Sequence, residues 1–196
     1  MTVRLLPAAD RLAVPWKNGG GVTREIVASP EGAGTDDFDW RVSLAEVAAD
    51  GPFSAFPDID RTLTVVEGAG MDLTVGGERR LVDSRYVPQD FRGDVPTDCR
   101  LLDGPVVNLN VMWRRSAGRT APTVAVVRGR LTLPAAPALV VALDGSAEVA
   151  GLPLRRYDAA LLTGEEAAVL HAVGPAAVVG IAQQAQLAGI LTLPLA

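Results

Sequence analysis

The chain has 196 residues, 48% apolar and 21% charged, enough to bury a core as one large domain or as two small ones packed together. A net charge of −5 and a pI near 4.9 weigh against nucleic acid as a partner, because phosphate binding rests on Lys and Arg, and no Lys/Arg run here exceeds two residues. One cysteine, Cys99, excludes an intrachain disulfide, and one histidine, His171, excludes any metal site built on two imidazoles.

The opening residues do not read as a secretory leader, since Asp10 and Arg11 interrupt a short apolar start. No apolar run approaches the roughly 18 residues that span a bilayer. A cytoplasmic location with no membrane partner is therefore expected.

Glycine and proline punctuate the sequence about every eight to twelve residues, the spacing of an all-β sandwich or barrel. Taken in order, Val22–Val27, Trp40–Val47, Thr62–Glu67 and Met71–Val75 read as strands, with Gly68-Ala69-Gly70 and Gly76-Gly77 as turns. Val106–Trp113, Thr123–Arg128, Ala138–Leu143, Ala147–Val149, Ala159–Leu162, Ala167–Ala172 and Ala177–Gln183 follow. Asp144-Gly145 is a hairpin signal. Ser43–Ala49 carries helix-forming Ala and Glu, but the alternation of Trp40, Val42 and Leu44 with Arg41 and Ser43 makes it a strand first. Strands without long helices imply β layers on β layers. Composition shifts at Arg114–Pro122, from a half rich in Trp, Phe, Asp and Arg to one rich in Ala, Val and Leu. The expected division is thus 1–115 and 116–196, with the second unit as scaffold.

Three segments could carry chemistry. Pro15–Glu25 holds three consecutive glycines, a costly choice unless a positive φ or a close backbone approach is needed. It is either an anion-holding loop, with Lys17 as cation and Trp16 as a wall, or, more commonly for such sequences, a tight turn into the next strand. On Asp39–Leu44, Arg41 and Ser43 share a face; on Val107–Trp113, Asn108 and Asn110 do. Turned inward, those amides would need partners, since an unpaired buried amide costs about 1–3 kcal/mol. The third segment, Gly51–Thr62, offers Phe53 and Phe56 as a barrel plug and Arg61 as a fork for a carboxylate. The commoner fate of Arg61 is a structural salt bridge to Asp60 or Glu67. Cys99 has no evident base beside it, His171 sits in an apolar run, and no G-x-S-x-G elbow is present.

The string PWKNGGGVTREI (Pro15–Ile26) resembles the N-terminal signature of the HutD/Ves family. The resemblance continues in order through Phe38–Met71, Asp90–Asp94 and Leu101–Arg115, and becomes generic in the second half. It implies an all-β bicupin: two jelly-roll-type β-barrels of the RmlC-like cupin kind packed in one chain. Ordinary cupins hold a metal with histidines and a glutamate. Here Phe53, Ser54 and Phe56 stand where histidines would be expected, so neither metal nor other cofactor is anticipated.

The resemblance further implies a role in tuning histidine utilisation, through a pocket for a small carboxylate metabolite of histidine catabolism, of the urocanate or formylated-glutamate kind. Trp16, Lys17, Asn18, Arg41, Ser43, Arg61, Asn108 and Asn110 are the expected ligand-binding residues, assigned from polarity and strand parity. No catalytic residue is assigned. Two other functions fit the residues. One is a metal-independent hydrolase or isomerase on a pathway acid, with Glu25 or Glu67 as base. The other is a protein-interaction module, with a homodimer as the default assembly.

Overall fold

Side chains that alternate in polarity, broken by glycine turns, fold the chain into antiparallel strands; the computed structural model describes residues 1–118, 120–164 and 166–181. Before the connector lie β1 (Thr2–Leu6), β2 (Ala13–Pro15), β3 (Gly21–Ser29), β4 (Trp40–Val47), β5 (Gly51–Pro52), β6 (Ile59–Glu67), β7 (Met71–Val75), β8 (Glu78–Val82), β9 (Gln89–Arg92), β10 (Thr97–Leu101) and β11 (Val106–Arg114). After it come β12 (Thr123–Leu133), β13 (Ala138–Ala142), β14 (Ala147–Val149), β15 (Leu152–Leu154), β16 (Ala159–Thr163) and β17 (Ala168–Gly180). No described helix is long and apolar enough to cross a membrane.

Three sheets form. A six-stranded sheet runs β2-β3-β4-β11-β6-β9, and a four-stranded one runs β5-β10-β7-β8. Between them Leu63, Val65, Met71, Leu73, Val75, Val82, Phe91 and Cys99 make a core. The seven-stranded sheet, β1-β16-β13-β17-β14-β15 with β12 also on β17, encloses a second core around Val140, Val149, Leu154 and Leu170. A third core joins the halves, with Trp40, Val42, Leu44, Leu109 and Val111 of the six-stranded sheet packed with Leu139, Val141, Leu143, Ala177 and Val179 of the other. Burying each such leucine or valine side chain stabilises the fold by about 1.5–3 kcal/mol.

Three sequence expectations shift. β1 pairs with β16 from Thr2↔Thr163 to Leu6↔Ala159, so the first strand crosses the 115/116 division and completes the sheet of the second half. Ala167–Ala172 and Ala177–Gln183 were to be two strands, but β17 runs through Gly174-Pro175 as one, with the Pro175 carbonyl accepting from Leu143 N at 2.9 Å; Gln183 lies outside the described residues. β12 runs on past Arg128 to Leu133, because Gly129 (φ 83°) carries the strand through an irregular register against β17. The short strands β5, β8 and β10 are hard to read, since charged residues such as Arg79 and Asp98 interleave with their buried positions.

Candidate functional site

Strand parity and two register irregularities build the interior face of the six-stranded sheet. Trp40, Val42, Leu44, Leu109 and Val111 point toward the seven-stranded sheet, leaving Arg41, Ser43, Asn108, Asn110 and Arg61 on the opposite face. Across the strands, Glu25, Ser43, Asn110, Leu63 and Gln89 form one row, and Arg41, Met112, Arg61 and Phe91 form the next. Asn108 and Asn110 are therefore inward and buried, as are Ser43 and Arg61.

Arg61 dominates this face. It is 6% exposed, and its guanidinium carbon lies 5.3, 5.7 and 5.1 Å from the ring centres of Phe53, Phe56 and Phe91. Cation–π contacts of this kind are worth about 0.5–2 kcal/mol each, more as water is excluded. Nε and Nη2 both donate to Asn110 Oδ1, at 3.4 and 3.3 Å, the long end of hydrogen-bond geometry. No carboxylate among the described residues pairs with it. Burial lowers the pKa of the group to about 10, so it carries its charge at neutral pH.

The expected salt bridge to Asp60 or Glu67 does not form. Asp60, one residue away, projects to the opposite face and takes Arg115 Nη1 at 2.6 Å. The irregularity between Val107 and Asn108 places Glu67 opposite Val107, where its Oε2 accepts from Arg156 and Tyr157, both at 2.8 Å.

The remaining residues divide around Arg61. Arg41 donates Nε to Glu25 Oε2 at 2.7 Å at the half-exposed edge of the same face. Asn108 donates to the Ala45 carbonyl at 3.2 Å, while its Oδ1 is buried without a described partner. Trp16 sets its ring edge-on to Phe53 at 6.1 Å and donates Nε1 to Thr23 at 2.8 Å, so it walls the interior at one remove from Arg61.

The glycine loop is occupied with its own turn. Gly19 N donates to the Trp16 carbonyl at 3.0 Å, Gly20 N to Asn18 Oδ1 at 3.1 Å, and Trp16 N to the Gly21 carbonyl at 2.9 Å. Gly19 supplies a φ of 72°, and a Cβ at Gly21 would lie 2.4 Å from the Glu46 carbonyl. Asn18 thus shapes the turn, and Lys17 stands exposed on it, outside the cluster around Arg61. The residues outside the expected ligand-binding set are Phe53 and Phe56, read from the sequence as a barrel plug, together with Phe91 and Glu25. Phe91 was legible only as part of a charged stretch, and Glu25 only as a candidate base.

This face does not fit a metal centre. Its buried polar groups are two amides, a hydroxyl and a guanidinium, and its one carboxylate, Glu25, is paired with Arg41 at the edge. No group of three or more His, Cys, Asp or Glu side chains that could hold a metal gathers among the described residues, and His171 lies exposed on β17.

The all-β arrangement of sheets is cupin-like in fold, as its superposition on a cupin 2 conserved barrel domain protein from Leptotrichia buccalis shows (TM-score 0.56, 13% identity, 86% of this chain and 92% of that one). The family model described as HutD matches residues 8–179, and the chain belongs to the HutD family. It is similar to an uncharacterized 21.2 kDa protein in the hutC 3′ region of Pseudomonas putida, 34% identical over 169 residues, which are 84% of this chain and 88% of that protein. Protein Ves of Cronobacter sakazakii is 38% identical over 111 residues, 56% of this chain and 60% of its own. The structure of HutD from Pseudomonas fluorescens SBW25 superposes with a TM-score of 0.82 at 32% identity, covering 94% of this chain and all of that one.

Proposed function

We propose that this HutD-family protein binds a small carboxylate metabolite of histidine catabolism on Arg61, and that binding tunes histidine utilisation. One observation carries the reading: a buried, charged guanidinium stacked by three phenyl rings and held by a single neutral amide oxygen. A buried cation ordinarily has a counter-charge, because removing it from water costs several kcal/mol. A carboxylate supplies one with the bidentate geometry that an Arg fork prefers. Asn108 Oδ1 and the Ser43 hydroxyl lie on the same face and add polar contacts.

The family relatives support the pathway. The P. putida relative is named for its place beside hutC, and the P. fluorescens HutD structure is described with a formate condition, formate being the smallest carboxylate. The substrate kind we infer is urocanate or a formylated glutamate. Lys17, Asn18 and Trp16 belong to this proposal as a rim, Arg41 as a gatepost beside Glu25. We place the protein in the cytoplasm, as two barrel units in one chain that divide near the connector except that β1 joins the second, and paired as a homodimer through an exposed edge such as β2, which carries Val14 and follows Leu12. The geometry favours binding over turnover: Glu25 is held by Arg41, and Glu67 is engaged on the far face.

Calorimetric titration of the whole chain with urocanate, N-formylglutamate and histidine tests the reading. Binding of an acid by the native chain, lost in Arg61→Met, is expected. No heat with either acid contradicts it.

A further inference from the structure

The opposite face of the same sheet carries a cavity. It has a volume of about 600 Å³ and lies where β4, β6 and β11 meet the loop bearing Tyr157. Ligand pockets commonly fall between about 300 and 1,000 Å³. Glu46, Val107 and Glu67 form a single row across β4, β11 and β6, so the backbones of the two glutamates stand about 10 Å apart on either side of Val107, with Leu44 beside it.

The charges of this cleft are incompletely matched. Glu46 has Arg24 as its ion pair, at 3.6 Å and without a hydrogen bond. Glu67 uses Oε2 for both Tyr157 and Arg156, and its Oε1 meets no described donor. Arg85 donates Nε to the Gly68 carbonyl at 3.0 Å and has no carboxylate partner among the described residues. The cleft therefore presents carboxylate oxygens for an ammonium and a guanidinium for a carboxylate, above a surface suited to an apolar side chain.

Backbone conformation points to the same place. Tyr157 holds φ at 67°, and Tyr86, which packs against the same core, holds 68°. The left-handed region costs a residue with a Cβ about 1–2 kcal/mol, and such strain gathers at ligand sites. The strained Tyr157 is the residue whose hydroxyl fixes Glu67, so the turn orients one of the two carboxylates.

We propose that this cleft binds a free α-amino acid with a large apolar or aromatic side chain, its ammonium held by Glu67 Oε1, its carboxylate by Arg85, which is anchored on the neighbouring Gly68 carbonyl, and its side chain laid on Leu44, Val107 and Tyr157. The site is separate from Arg61, because the two lie on opposite faces of the six-stranded sheet.

The test is an amide-resolved NMR titration of the full chain with phenylalanine, leucine, glycine and glutamate. Phenylalanine and leucine should move the resonances of Leu44, Val107 and Tyr157 at lower concentration than glycine or glutamate does, leaving Leu63 and Asn110 in place. Glu67→Gln and Arg85→Ala, both on side chains open to solvent, should each weaken the binding about tenfold, the loss of one charge-assisted hydrogen bond. Unmoved resonances at millimolar ligand, shifts centred elsewhere, or unchanged affinity in both variants would overturn the proposal.

Discussion

Arg61 and Asn110 sit diagonally on neighbouring strands, and the amide oxygen of Asn110 takes both the Nε and the Nη2 of the guanidinium. At 3.3–3.4 Å these bonds hold the fork in place more than they neutralise it. The arrangement explains why a cation is tolerated in an aromatic interior and what kind of group would complete it.

Replacing Arg61 by Met keeps a long apolar stem and removes an uncompensated charge. Urea unfolding should show Arg61→Met at least as stable as the native chain and up to about 3 kcal/mol more so, as for buried ionic groups exchanged for apolar ones. Asn110→Leu should go the other way by about 1–3 kcal/mol, because it strips the guanidinium of its acceptor. A loss of stability in Arg61→Met would mean that the cation is structurally compensated.

The glycines of the N-terminal loop should be unequal. Gly21→Ala places a Cβ against the Glu46 carbonyl at 2.4 Å and the Trp16 ring at 3.1 Å, and should lower stability by about 1–3 kcal/mol. Gly20→Ala meets Asn18 at 3.4 Å, an ordinary contact, and should cost less. Thermal melts of the two variants check the order.

Cys99 is buried beside Met71, and burial, with a smaller push from Asp50, raises its thiol pKa to about 12. The thiolate is the reactive form, so the native thiol should react with a disulfide reagent far more slowly at pH 8 than in unfolded protein. Rapid native labelling would contradict the burial.

The Asp94 carboxyl is held at about 2, chiefly by its hydrogen bond from Arg92, against an opposing push from desolvation, with the hydrogen bond and charge of Arg115 adding to the lowering. A lowered carboxylate pKa stabilises the fold fully above the ordinary value of 3.8 and ceases to do so as pH falls through about 2. Asp94→Asn should therefore weaken the fold near neutral pH and leave it unaffected near pH 2. Unfolding followed by tryptophan fluorescence across that window reads the difference.

Much of this could be read from the chain. The alternation around Arg41 and Asn108 showed which side chains share a face on β4 and on β11, but not that this face turns inward, which only the packing of the three sheets decides. The partner of Arg61 could not be read, because local sequence offers Asp60 and Glu67. Parity turns Asp60 away, and an irregular register turns Glu67 toward the seven-stranded sheet. The three phenyl rings come from a loop and an edge strand brought together by long-range contacts, the pairing of β6 with β9 and the bond from Phe56 N to the Gly93 carbonyl. β1 was illegible as part of the second half, since nothing in Thr2–Leu6 specifies a partner some 160 residues away.

The carboxylate proposed for Arg61 is tested at the guanidinium itself. The most direct measurement is the ¹⁵N resonance of the Arg61 Nε–H group during titration with urocanate. A saturable shift at Arg61, matched by the Asn110 side-chain amide and absent when a neutral amide analogue replaces the acid, is the predicted result. An Arg61 resonance that stays fixed while the acid is taken to saturating concentration would contradict the account.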